Sequence, residues 1–252
     1  MGHWYTKEGE PMHWIEGANG KQRDTTLRDA RKLNLFPSVT TILGTIDKPA
    51  LTNWKLKQVS KACWDNMGVD WDCDHDVYHK EIMGEAFKDS TDARDRGSEI
   101  HDCLEAIAEG APILTHPEDI RAIAVQAWDQ VTGYCETARF TAEATVAGDG
   151  YAGMIDLHND EFVIDWKTKD IDDINKKMAY PEQAMQLAAY DAALNAGSKP
   201  GTRCINVFID RTEPGKLVIH EWKPEEISLA WQKFQLLVKY WQLDKGYTPE
   251  AA

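Results

Sequence analysis

Asp165 and Lys167 stand two residues apart inside FVIDWKTK, residues 162–169. Five of these eight residues suit a buried strand, and strand side chains alternate faces, so the acid and the base point the same way. A second acid, Asp156 in GMID, lies nine residues earlier. If the two segments form a hairpin, loop parity decides whether the aspartates meet. A two-residue loop at His158-Asn159 or Asn159-Asp160 puts both on one face; a three-residue loop separates them unless a bulge intervenes. Gly153, just upstream, suits a close backbone approach. Two carboxylates and a lysine on one sheet face are costly to bury without partners. A divalent cation resolves that cost, and oxygen donors suit Mg²⁺ or Mn²⁺. Such an ion polarises phosphate and lowers the pKa of bound water. The adjacent lysine can orient or deprotonate that water, or stabilise charge developing on phosphorus.

The elements that must position these residues are legible from periodicity and punctuation. Residues 3–24 read as a loose hairpin or arm. Helices are expected over 25–35, 38–46, 48–68, 75–89, 92–110 and 117–138, with Thr or Ser starts, Pro near first turns, and Gly68 and Gly110 as stops. The period then changes. Strands are expected over 140–148, 151–158 and 161–168, then a helix over 181–196 stopped by Gly197, strands over 203–210 and 216–222, and a closing helix over 224–244. The reading is one α/β (α+β) domain over 1–252. It has an N-terminal arm and helical region over 1–90 and a core over 91–252 in the order βββ-α-ββ-α, with a mixed central sheet flanked by helices.

Bulk composition bounds the function. The chain has 252 residues, 42% hydrophobic and 28% charged, with a net charge of −14. That acidity opposes coating nucleic acid by bulk charge and leaves room for a local basic groove or a carboxylate metal site. No apolar run reaches the ~18 residues of a membrane span, and no signal or transit pattern opens the chain, so a cytoplasmic protein without membrane association is expected. Five scattered cysteines with no CxxC pair fit reduced thiols.

G-x-x-D followed after nine residues by D-x-K resembles the PD-(D/E)xK nuclease superfamily. RGSEIH (96–101), ending in His101, and QLAAY (186–190), a Q-x-x-x-Y match, sharpen the resemblance to its RecB-type exonuclease branch. FPSVTTIL (36–43) with KPAL…W (48–54) is similar to the N-terminal region of phage-encoded exonucleases and of the mitochondrial genome maintenance exonuclease. The resemblance implies a restriction-endonuclease-like core over roughly residues 92–210. By position, it implies metal binding by His101, Asp156, Asp165 and the Trp166 carbonyl, catalysis by Lys167, and Gln186 and Tyr190 lining the site. Relatives with an iron–sulfur cluster carry three cysteines near the C-terminus. Here none follows Cys204, so no cluster is expected.

Helical spacing supports the same residues from below. His101 and Glu105, and Gln186 and Tyr190, are four apart and share helix faces. Glu105 and Glu143 are further carboxylate candidates. Trp54 among Lys55, Lys57 and Lys61 is the best base-stacking candidate. Ser38 and Thr40 at a helix start, and Arg96, are candidate phosphate contacts. Cys73, His75 and His79 form a C-x-H-x₃-H cluster with no evident fourth ligand.

The expected activity is a metal-dependent DNA exonuclease, phage-encoded and acting in the host cytoplasm beside phage recombination or replication proteins. Single-stranded DNA is the preferred substrate because no helicase phosphate-binding motif accompanies the site. The alternatives are a double-strand 5′ exonuclease similar to lambda exonuclease and a non-catalytic DNA-end binding module.

Overall fold

The computed structural model describes residues 2–69, 71–195 and 202–250. The expected stop at Gly197 and the end of its helix at 196 lie outside the described residues.

The N-terminal arm is docked rather than loose. Its short strands are β1 (Trp4–Tyr5), β2 (Trp14–Glu16) and β3 (Gln22–Asp24), with β2 and β3 paired as a hairpin. Trp4 and Tyr5 are buried, and the Trp4 ring meets Trp241 edge-on. Helix α1 (Leu27–Leu33) starts at a capping box, where Thr26 and Asp29 satisfy each other's backbone N–H groups. It ends at Asn34, whose φ of 53° supplies the left-handed cap. Strand β4 (Phe36–Pro37) pairs with β1, and helix α2 (Val39–Leu43) follows.

Helix α3 (Pro49–Asp65) begins at proline, whose missing N–H costs nothing in a first turn. The two helices expected over 75–89 and 92–110 are a single helix, α4 (His75–Glu109). Ser90 and Thr91 do not break it, because both hydroxyls fold back onto the Phe87 carbonyl at 3.1 Å. Helix α5 (Glu118–Cys135) packs beside α4.

A five-stranded mixed sheet follows, built from β5 (Thr141–Gly148), β6 (Tyr151–His158), β7 (Phe162–Lys169), β8 (Arg203–Asp210) and β9 (Leu217–Glu221). The spatial order is the chain order, and only β7 and β8 run parallel. A parallel neighbour requires a crossover, which helix α6 (Pro181–Leu194) supplies. Helix α7 (Pro224–Lys245) closes the fold.

Two apolar clusters flank the sheet. Ile100, Leu104, Ile120 and Ile123 of α4 and α5 pack on Leu157, Ile164, Trp166 and Val207. On the other side Leu187 and Ala188 of α6 and Phe234 of α7 pack on Val163 and Cys204, and Trp4, Val39 and Ile42 join this same cluster. The N-terminal segment thus shares a core with the C-terminal helices. No helix among the described residues is long and apolar enough to cross a membrane.

Candidate active site

The β6–β7 turn settles the parity question. Asn159 N–H donates to the Phe162 carbonyl at 3.0 Å, leaving Asp160-Glu161 as a two-residue loop. The Asn159 side chain accepts from the Glu161 and Phe162 N–H groups and fixes the turn. The loop has the expected length, one position later than the sequence suggested. Its register pairs Leu157 with Ile164 and His158 with Val163, so one step further Asp156 comes abreast of Asp165.

The strands part at that step. The Asp156 carboxylate takes the place of a strand carbonyl and accepts the Trp166 N–H at 2.8 Å. On the other side of β6, Ala142 pairs with Leu157 and Ala144 with Ile155, and Glu143 lies between them with φ of 48°. Ile155 and Leu157, two apart, belong to clusters on opposite sides of the sheet. The strand therefore turns over at Asp156, and the left-handed Glu143 is its counterpart on β5.

Asp165 is 1% exposed and fully engaged. Lys167 Nζ donates to its Oδ1 at 2.6 Å, and Asn206 Nδ2 donates to its Oδ2 at 2.7 Å. Asn206 is itself oriented by Trp222, whose indole N–H donates to Asn206 Oδ1 at 2.7 Å. Asn206 pairs with Asp165 on one side and His220 on the other, so a polar row crosses the sheet at the level of the carboxylates.

Helices bring the remaining groups from both sides. On α4, Gly97 lies so close to Thr168 that an added Cβ would collide with the threonine hydroxyl, and this close packing aims the next turn, with His101, at the strands. Burial lowers the His101 pKa, and the ring senses the charges of Asp165 and Lys167. On α6, Gln186 Nε2 donates to the Tyr190 hydroxyl at 3.1 Å. The Tyr190 ring lies over Gly153, where a Cβ would sit 2.6 Å from its Cε1, so the glycine expected to permit close approach does so for this ring. Burial, then Asp165, hold the Tyr190 hydroxyl protonated well above its ordinary range.

The electrostatics is that of an acidic site short of positive charge. Burial and then Asp165 raise the Asp156 pKa. Burial, then Glu105, Asp102 and Glu109 on α4, push Glu143 up to about 7. Burial pulls the Lys167 ammonium down, but Asp165 and Asp156 outweigh it and keep its pKa above the usual lysine value. With no ion between the aspartates, they favour the charged form of Lys167.

Among the described residues, no three His, Cys, Asp or Glu side chains converge as a ready-made ion cage. The donor chemistry nevertheless fits a hard divalent ion. Asp156 keeps one oxygen outside its bond to Trp166 N–H, Asp165 is held by a lysine that an ion can replace, and an ion there would favour the ionised form of Asp156, which burial and Asp165 disfavour.

A cavity of about 640 Å³ opens in front of His101, lined also by Trp54, Gly97, Asp102, Thr168 and Arg211. Trp54 therefore shares a cavity with His101, although Asp156, Asp165 and Lys167 do not line it; Lys55 and Lys57 are exposed on the same helix and Lys61 is 3.4 Å from Asp65. Two expected phosphate contacts are otherwise engaged. Ser38 is buried, and its hydroxyl caps α2 by accepting Thr41 N–H at 2.9 Å; of that pair only Thr40 is exposed. The Arg96 guanidinium donates to the Arg211 carbonyl at 2.6 Å and pairs with Asp119 at 2.7 Å. His75 and His79 stack 6.3 Å apart far along α4.

Sequence reading missed Asn206 and Trp222. The available signal was a lone amide inside the apolar run RCINVFID. Asp210 was also missed; it is buried and accepts N–H bonds from Ile171, Thr212 and Glu213, which ties the end of β7 to the β8–β9 turn.

Compared with known proteins, the chain matches no family model and no curated sequence.

Proposed function

We propose that this chain is a metal-dependent exodeoxyribonuclease with a restriction-endonuclease-like core, hydrolysing phosphodiester bonds from a free end of DNA, with single strands preferred. The observation that carries the reading is the buried Asp165, clamped between Lys167 and Asn206 beside Asp156 at the point where two strands part. His101 and Tyr190 approach that point from helices on opposite sides of the sheet.

A Mg²⁺ or Mn²⁺ ion bound by His101, Asp156, Asp165 and the Trp166 carbonyl would polarise a phosphate oxygen and lower the pKa of a bound water. Lys167, released from Asp165 by the ion, would meet the negative charge that grows on the phosphate oxygens. His101, held neutral by burial, offers a nitrogen lone pair. Gln186 and Tyr190, bonded to one another, hold the strand backbone. Trp54, in the wall of the cavity before His101, offers a stacking face for an unpaired base. With a net charge of −14, binding depends on these local contacts and weakens steeply with salt.

The test is a cleavage assay. End-labelled single- and double-stranded oligonucleotides, with free or blocked ends, are incubated with Mg²⁺, Mn²⁺ or EDTA, beside the Lys167→Ala variant. Metal-dependent shortening of free-ended single strands, lost in the variant, is expected. DNA binding without product under either metal would replace this reading with a non-catalytic end-binding module.

A further inference from the structure

On the face of the sheet that carries Asp165 and Lys167, a second cavity of about 350 Å³ opens against β8 and β9. Strand registers place it. Lys167 pairs with Phe208 and Phe208 with Val218, while Asp165 pairs with Asn206 and Asn206 with His220. Register partners share a face, so the cavity begins one strand over from Lys167.

Its walls are Met178, Phe208, Val218 and Trp222, with Lys176 and Lys177 also on its lining. The His220 ring stands edge-on to Trp222, with centroids 4.4 Å apart. His220 Nε2 is shielded from solvent and has no hydrogen-bond partner among the described residues. Nε2 is covered, but the imidazole as a whole is only half-buried on the cavity lining, so the ring still offers a polar edge there. Glu226 also lines the cavity, but its Oε2 accepts Lys223 N–H at 3.0 Å in the cap of α7.

A phosphate alone has no use for two aromatic walls, and an aliphatic ligand has no use for the imidazole. A planar heterocycle with apolar faces and a polar edge uses both. We infer that this cavity takes one unpaired nucleobase of the bound strand, with its face on Trp222 or Phe208, its edge on the His220 imidazole, and Lys176 and Lys177 on the neighbouring phosphates. This deepens the nuclease reading and rests on it for the class of ligand. Trp222 also ties the cavity to catalysis, since its indole N–H orients Asn206, which holds Asp165.

The experiment is an abasic scan. Single-stranded oligonucleotides with one abasic position, moved stepwise from each end, are bound to the full-length Lys167→Ala chain in Mg²⁺ and read by fluorescence anisotropy. One position is expected to weaken binding about tenfold, and the others less than about twofold. His220→Ala should weaken the intact strand by the same factor and erase the position dependence. Val218→Trp, which fills the cavity and leaves His220 in place, should do likewise and serves if His220→Ala fails to fold. Equal binding at every position, or uniform weakening, overturns the inference. A wild-type chain that cuts DNA without position dependence sinks the base cavity alone. A chain that cuts nothing but keeps one sensitive position supports the cavity and sinks the nuclease reading.

Discussion

Helix α3 and the first half of α4 form a hairpin unlike the sheet it adjoins. Of the 17 residues of α3 only Ala62 is buried, and the first half of α4 buries only Ile82. Leu56, Trp64 and Met67 are 64%, 70% and 67% exposed. In β8, by contrast, seven of eight residues are buried, and α6 buries nine of its 14. The difference is one of local stability. Segments with few buried contacts open at low free energy, whereas a central strand opens only with the whole domain. The candidate chemistry sits on the rigid side, where Asp165 and Asn206 are fixed by neighbours on both flanks. The hairpin contributes Trp54 to the cavity before His101, and under the nuclease proposal its freedom would let a strand enter and leave.

The sharpest way to break this division is Asp165→Asn. The side chain keeps its shape but turns one accepting oxygen into an NH₂ donor facing Lys167 or Asn206, so stability should fall by about 1–3 kcal/mol with near-UV circular dichroism retained, while cleavage of a labelled single strand by the folded variant falls about 10³-fold. A loss smaller than about tenfold would take the chemistry away from the sheet.

Gly153→Ala tests whether the rigid side tolerates change. The new methyl would meet the Tyr190 ring, so Tyr190 must shift from Gln186. A stability loss of about 1–3 kcal/mol in urea titration is expected, with about a tenfold fall in cleavage rate. The same substitution at Gly84 in the hairpin meets nothing within 4 Å and should leave both unchanged or slightly improve stability.

Asp210 gives the rigid side a pH signature. Burial pushes its pKa up, but the N–H groups of Thr212, Ile171 and Glu213 and the Thr212 hydroxyl outweigh that and hold it at about 2, below its ordinary 3.8. A carboxylate whose folded-state pKa is depressed stabilises the fold fully above its unfolded value. That stability, on the order of 2 kcal/mol, is lost as pH falls from about 4 through about 2. Chemical denaturation from pH 6 to pH 2 should show it, and Asp210→Ala should lower stability at pH 6 and flatten the slope. An unchanged slope would remove Asp210 from the account.

The smallest effect lies in the hairpin. Trp54→Ala should move Tm by no more than about 2 °C and weaken single-strand binding about five- to tenfold. A large drop in Tm would mean that Trp54 is a packing residue and that the hairpin belongs to the core.

Much of the fold was legible because its signals are local. Proline at or near the first turn placed α3, α5 and α6, amphipathic spacing placed α7, and a change of period placed β5 to β9. The division of α4 was misread because Ser and Thr also back-bond within helices, and only the chain's continuation distinguishes the two uses. Ser38 caps α2, as its place at a helix start suggested, whereas no local signal announced the acceptor of Arg96, which lies 115 residues away.

By itself the sequence determined that Asp165 and Lys167 share a strand face and that Gln186 and Tyr190 share a helix face, because periods of two and about 3.6 residues are properties of the backbone alone. It could not determine whether Asp156 meets Asp165, since a one-residue change in a loop reverses a strand. Nor could it bring Asn206 to Asp165, 41 residues away, or leave His220 Nε2 unpartnered beside a cavity. Those were decided by tertiary structure, through strand pairing and the burial that accompanies it, where each contact depends on segments that meet only once the whole sheet has formed.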